Sequence, residues 1–291
     1  MYVMEVPFLD LNQIYESAQP LRWIKLRDGK YVIQNGCSAL KVEQQKGRLI
    51  MSCTEEEFYE KWYNYFDMRT DYGDTYFGLC RKGGFLKVCA VRNGGLRVMR
   101  QDLFECIITS IVYSTCGKNM TKAMINNIAA NLGIEHIQGM REAGRIKWYE
   151  FPLPEVILEN IDKPIIPFTI RENVRSVCQD IVDGWLSLED LSIMDDSDAR
   201  AYLSEFGLRD SVIDLILLHG LGKLNVFPYD LEIDKAIHRE FDDFDFETFI
   251  EWELDAYEDQ KGIIYHRILN NELNPPRNMA DEMKVGAHRW G

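Results

Sequence analysis

The chain has 291 residues, room for one large or two modest domains, and its 46% hydrophobic and 12% aromatic content supplies a core and excludes a disordered polymer. Its 33 Lys and Arg against 47 Asp and Glu leave a formal net charge of −14, so any polyanionic partner has to meet a local basic face. Seven scattered cysteines without C-x-x-C spacing predict buried thiols in a reducing compartment, and neither a metal nor a cofactor is expected. No 18-residue apolar run occurs and the first residues carry acids, so the expectation is a soluble, cytosolic monomer with no membrane contact.

In chain order, short alternating segments at 30–34, 39–43 and 48–52, split by Asp28-Gly29, Asn35-Gly36 and Lys46-Gly47, predict antiparallel strands, and the first ninety or so residues read as strands. Thr54-Glu55-Glu56-Glu57 is a capping box that opens a helix carrying Phe58, Trp62, Tyr65 and Phe66, an aromatic stripe assigned to the core. From about Arg100 the pattern turns helical, over 103–112, 119–132, 171–184, 196–205, 211–219, 230–240 and around 258–270. Residues 152–167, which hold four of the nine prolines, read as an irregular connection, and 274–291 as a mobile tail. The sum is an α+β protein: an antiparallel β-rich N-terminal domain over 1–95, an α-helical body over 96–273, and the tail.

Four stretches then occur in a telling order. They are Phe8 to Asn12 running into Ser17-Ala18-Gln19-Pro20-Leu21-Arg22-Trp23; Gly95 to Cys106 with Arg97, Arg100, Gln101, Asp102 and Glu105; Phe206-Gly207-Leu208-Arg209-Asp210-Ser211; and Leu221-Gly222 to Phe227-Pro228-Tyr229-Asp230. Together they resemble the 8-oxoguanine DNA glycosylases, a branch of the helix-hairpin-helix superfamily, over about residues 8 to 270. The resemblance implies that double-stranded DNA with a damaged base is the partner. It also implies that Phe8 to Asn12 form a strand ahead of a turn, and that Gly207 to Ser211 form a hairpin whose backbone N–H groups hold a phosphate.

On that resemblance Asp230 is the catalytic carboxylate, stabilising the positive charge that builds on the sugar as an N-glycosidic bond breaks. A helix starts after it, so Asp230 also reads as an N-cap, held ionised by the helix dipole. Ser211 falls where bifunctional members carry a Schiff-base lysine; it has no amine, and it reads instead as the cap of the following helix. Lys223 sits in the next loop, an unsuitable substitute. Arg209 replaces the second hairpin glycine, with Asp210 beside it.

Thr115 takes the slot of an asparagine that fills the gap left by the extruded base, and Met120 that of an arginine probing the orphaned cytosine. Met120 reads as core or as an apolar wedge. Arg171 matches a second arginine that contacts that cytosine. In the base pocket, Ala18 stands for a glycine whose carbonyl reads the oxidised purine, Tyr265 for a base-reading glutamine and Leu269 for a base-stacking phenylalanine. His136, His219, His238, His266 and His288 show no metal-ligand spacing, and His238 is placed toward the Asp230 cleft by its sequence position. Two functions follow: a DNA N-glycosylase of base excision repair that hydrolyses the bond without lysine-dependent strand cleavage, or a catalytically inactive paralogue that binds DNA or protein.

Overall fold

The computed structural model describes residues 1–17, 19–140, 144–241 and 244–275. Ala18, His288 and most of the expected tail lie outside the described residues. Strands β1 (Tyr2–Glu5), β2 (Ile24–Arg27), β3 (Lys30–Asn35), β4 (Ser38–Gln45) and β5 (Arg48–Met51) form one antiparallel sheet in the order β1-β5-β4-β3-β2. Pairing of Tyr31 with Val42 and Ile33 with Leu40 sets the register that turns these side chains inward. They pack on Leu11 and Ile14 of helix α1 (Leu11–Glu16) and on Phe58, Trp62, Tyr65 and Phe66.

The aromatic stripe lies on a helical run made of α2 (Glu55–Glu57), a π turn (Phe58–Trp62) and α3 (Tyr63–Tyr65). Thr54 caps it as its pattern predicts, accepting from the Glu57 amide at 3.1 Å. The stretch expected to be a strand near Phe8 is different. Asp10 accepts from the amides of Asn12 and Gln13 and so starts α1 instead. Residues 72–92 are not strands either, but α4 (Tyr72–Lys82) and α5 (Gly84–Arg92).

Helix α6 (Leu103–Leu132) begins at Asp102, which accepts from the Glu105 amide at 2.9 Å. It is broken at Gly117, whose φ of 68° is left-handed, so the two predicted helices meet end to end. A second hairpin, β6 (Glu135–Met140) with β7 (Gly144–Tyr149), follows. Within the proline-rich connection, α7 (Pro154–Glu159) forms because Pro154 occupies its first turn, where the missing N–H costs nothing. Helices α8 (Phe168–Val182), α9 (Leu188–Ile193), α10 (Asp196–Glu205) and α11 (Asp210–Leu215), the last continued by a π turn at Ile216–Gly220, pack on α6. Helices α12 (Leu231–Glu240), α13 (Phe246–Glu253) and α14 (Lys261–Leu273) return to α4 and α5, burying Leu79 and Leu86 with Ile237, Phe249, Ile264 and Ile268. Each such side chain contributes roughly 1.5–3 kcal/mol by leaving water.

One buried ion pair ties the sheet to the helical body. Arg22 Nη1 donates to Glu105 Oε2 at 2.6 Å, and the Gly36 amide reaches the same oxygen at 2.9 Å. Burial pushes the Glu105 carboxyl up while Arg22 pulls it back. Among the described residues no helix is long and apolar enough to cross a membrane.

Candidate active site

A cleft opens where the turn after α1 meets α6, the π turn and α14. Gln19, Leu21, Gln101, Cys106, Thr109, Ser110, Tyr113, Leu215, His219, Tyr265, His266 and Leu269 line it. Its sequence origins are legible locally. Gln19 is pinned through both ends of its amide, donating to the Arg97 carbonyl at 3.0 Å and accepting from the Met99 amide at 2.8 Å. Trp23 Nε1 donates to the Tyr65 hydroxyl at 2.7 Å, anchoring the same turn to the aromatic core. The cleft has about 390 Å³ of empty space in all, but it is narrow, with clear room for roughly one or two waters. A purine needs several times that, so a guest of purine size would require a wall side chain to move.

Asp230 caps α12, accepting from the Glu232 amide at 2.8 Å. Its other oxygen accepts from the Tyr113 hydroxyl at 3.5 Å, and Tyr113 is itself a wall of the cleft. The helix N-terminus does favour the ionised form of this acid, as expected, but burial works in the other direction. Burial raises its carboxyl above the ordinary range, and the Glu232 and Ile233 amides and Tyr113 only partly offset that. Desolvation is the larger effect because the side chain is half-buried.

Of the expected pocket residues, Tyr265 and Leu269 do line the cleft, one helical turn apart on α14. Tyr265 is buried, with its ring edge-on to Phe227 at 5.7 Å. Ala18 lies outside the described residues, but its neighbours Ser17 and Gln19 are buried. His238 does not join the cleft: it lies largely exposed on α12, 3.8 Å from Asp234.

The expected DNA contacts sit apart from this group. Gly207 adopts a φ of 69°, the left-handed turn that joins α10 to α11. Arg209 and Asp210 are exposed beside it. Ser211 is not a cap, because α11 already starts at Asp210 and Arg209 holds the N-cap position without a side-chain bond. Ser211 instead lines an open groove with Asp196, Arg200, Asp210 and Asp214. Lys223 is taken up by Asp196 at 2.8 Å.

Thr115 is exposed at the end of the first half of α6, before the Gly117 break. Met120, just after the break, is 55% exposed, which removes the core reading. Arg171 is half-buried, donates to the Ile166 carbonyl at 3.1 Å and lies 3.7 Å from Asp162.

Much of the remaining basic charge is structural. Arg97 donates to the carbonyls of Pro7, Phe8 and Asp67 and stacks 4.4 Å over Tyr72, while Arg100 pairs with Asp67 at 3.0 Å. Lys118 donates to the Glu16 carbonyl at 2.7 Å.

Sequence reasoning missed Tyr113, and it treated His219 and His266 as bland. The two imidazoles meet in the cleft with ring centroids 4.8 Å apart. Far apart in sequence, they carry no spacing signal. Tyr113 could have been found as the residue two before the Thr115 slot.

The family profile of the 8-oxoguanine DNA glycosylase N-terminal domain matches residues 2–107. The structure of MBOgg1 in complex with a low-affinity DNA ligand is similar to the whole chain, with a TM-score of 0.81 at 22% identity, covering 98% of this chain and 96% of that one. The Clostridium acetobutylicum 8-oxoguanine glycosylase/lyase, bound to double-stranded DNA with cytosine opposite 8-oxoguanine, gives 0.78 at 23% identity over 91% of this chain and 92% of its own. The 3-methyladenine DNA-glycosylase of Archaeoglobus fulgidus gives 0.75 at 17% identity over 94% and 98%. No curated protein matches the chain in sequence. At these identities the structural likeness establishes a shared fold.

Proposed function

From the premise that residues 2–107 belong to the 8-oxoguanine DNA glycosylase N-terminal domain family and that the rest of the chain completes the fold of such enzymes, we propose a DNA N-glycosylase of base excision repair. Double-stranded DNA containing a damaged base, oxidised-purine-like by resemblance, is the substrate, and the protein acts as a monomer. The observation that carries the reading is Asp230: an anchored, half-buried carboxylate that bonds Tyr113, itself a wall of the narrow cleft.

As the bond from C1′ to the base nitrogen lengthens, positive charge grows on the sugar, and a carboxylate held in a poorly solvated site stabilises it. Water then adds at C1′, Asp230 takes its proton, and that proton passes on to the nitrogen of the departing base, which restores the carboxylate. The positive charge that develops on the sugar during bond cleavage also favours the ionised form of Asp230, against the burial that raises its pKa. Ser211 offers no amine for an imine, which supports hydrolysis without lysine-dependent strand cleavage. Arg209 at the hairpin, Thr115 and Met120 flanking the Gly117 break, and Arg171 are assigned to the duplex.

The narrowness of the cleft and the acids around Ser211 favour a second reading, a glycosylase paralogue that binds DNA without catalysis. Duplexes carrying oxidised, alkylated or deaminated bases decide between them: release of a base by the wild-type protein and its loss in Asp230→Asn support the enzyme. Binding with no release from any duplex supports the paralogue.

A further inference from the structure

His219 and His266 are both buried in the cleft wall, and each keeps a ring nitrogen with no hydrogen-bond partner, Nδ1 of His219 and Nε2 of His266. Buried polar atoms are normally satisfied, so two orphaned nitrogens side by side in one cavity mark a place where a ligand completes the bonding. The Met99 backbone lies against the His219 ring and favours a proton on the nitrogen facing it; since Nδ1 has no partner, we place that proton on Nε2 and take Nδ1 as the acceptor. His266 Nε2 takes either role according to its tautomer.

We propose that His219 and His266 are a base-reading pair, in which His219 Nδ1 accepts a hydrogen bond from an N–H on the edge of an extruded purine and His266 Nε2 bonds the neighbouring edge atom. The assignment rests on the excision reading above for the identity of the ligand as a flipped base.

Burial keeps both rings neutral. It lowers His219 to about 4 and His266 well below the ordinary histidine range. A cationic ring would donate at both nitrogens and reject the N–H; a neutral one accepts it. The surrounding wall fits the same ligand: Tyr265 and Leu269 supply apolar faces, and Gln101 Nε2 is already engaged by the Gln19 carbonyl at 3.3 Å. The pair therefore adds two ring nitrogens to a slot with apolar faces that Thr109, Ser110 and Tyr113 also line, a layout suited to reading one edge of a flat ring. A purine lesion whose ring nitrogens all lack hydrogen, such as 1,N6-ethenoadenine, offers His219 nothing and leaves Nδ1 unpaired.

The test measures equilibrium binding of the full chain to duplexes containing 8-oxoguanine, 1,N6-ethenoadenine or a tetrahydrofuran abasic analogue, with base release followed separately. The wild-type protein should bind the 8-oxoguanine duplex at least tenfold tighter than the other two. His219→Leu should reduce that preference to within twofold while keeping the tetrahydrofuran affinity and the thermal melt. His219→Gln, whose amide oxygen can accept, should restore part of it, and His266→Leu should weaken it. An unchanged preference in His219→Leu, equal wild-type binding of the three duplexes, or a parallel fall in tetrahydrofuran affinity overturns the pair. Release without the preference removes the pair and keeps the excision reading; the preference without release does the reverse.

Discussion

The hydroxyl of Tyr113 stands 3.5 Å from Oδ2 of Asp230, so the cleft wall and the cap of α12 share one polar contact across otherwise separate elements. Asp230→Asn keeps the cap but loses the charge, and excision should fall by roughly 10²–10³-fold with duplex affinity retained. Tyr113→Phe should cost about fivefold, the rate equivalent of about 1 kcal/mol. Because Tyr113 lowers an Asp230 pKa that burial has raised, its loss should also move the acid limb of the pH–rate profile upward. An unmoved limb would detach Tyr113 from the chemistry.

The Arg22–Glu105 pair is almost wholly buried. Glu105→Ala leaves a guanidinium without its counter-charge, and a loss of about 3–5 kcal/mol is expected in chemical denaturation. The double replacement Arg22→Met with Glu105→Leu should recover much of it, since no uncompensated charge then remains.

Stability should fall in acid through the histidine pair. His219 titrates near 6.5 when unfolded and near 4 when folded, so between those values the unfolded chain binds more protons and lowering the pH favours unfolding. The contribution is fully present above about 6.5 and amounts to roughly 3 kcal/mol across the window. Urea melts at pH 7 and pH 4.5 should converge in His219→Gln relative to wild type.

Arg209 is exposed at the hairpin with no side-chain partner among the described residues. Arg209→Ala should weaken binding to every duplex alike and reduce the slope of log affinity against log salt by about 1. A sequence- or lesion-dependent loss would argue for a different contact.

Ser211 lines the open groove beside Asp210 and Asp214, with no amine to attack a sugar. Borohydride present during reaction with an abasic-site duplex should trap no covalent complex that depends on position 211, so wild type and Ser211→Ala should give equal yields.

Legibility followed the range of the interactions. Thr54, Asp10 and Asp230 are caps, made with amides two or three residues on, so a short sequence window holds the whole interaction. The role of Thr54 was plain in the sequence; that of Asp10 was masked by the resemblance to a strand. Helices α4 and α5 escaped notice because Gly78, Gly83 and Gly84 punctuate them and α5 has no capping side chain. What stabilises α4 and α5 is packing on α12 to α14, some 150 residues away and invisible locally. The cleft was half legible: Tyr265, Leu269 and Asp230 followed from motif positions, whereas the meeting of His219 with His266 depends on how the π turn lies against α14.

Helix α14 carries three cleft residues, and its whole stretch from Gly262 to Asn271 is buried, including Arg267, whose guanidinium lies 5.9 Å from the ring of Tyr76. An element hemmed in on every flank has no direction in which to slide. With the facing turn held by Gln19 to Arg97 and Met99, the widening that admits a guest has to come from side-chain rotation, that of the Tyr265 ring included. The backbone of α14 thus acts as a fixed die, and only the side chains it carries adjust to what is pressed against it.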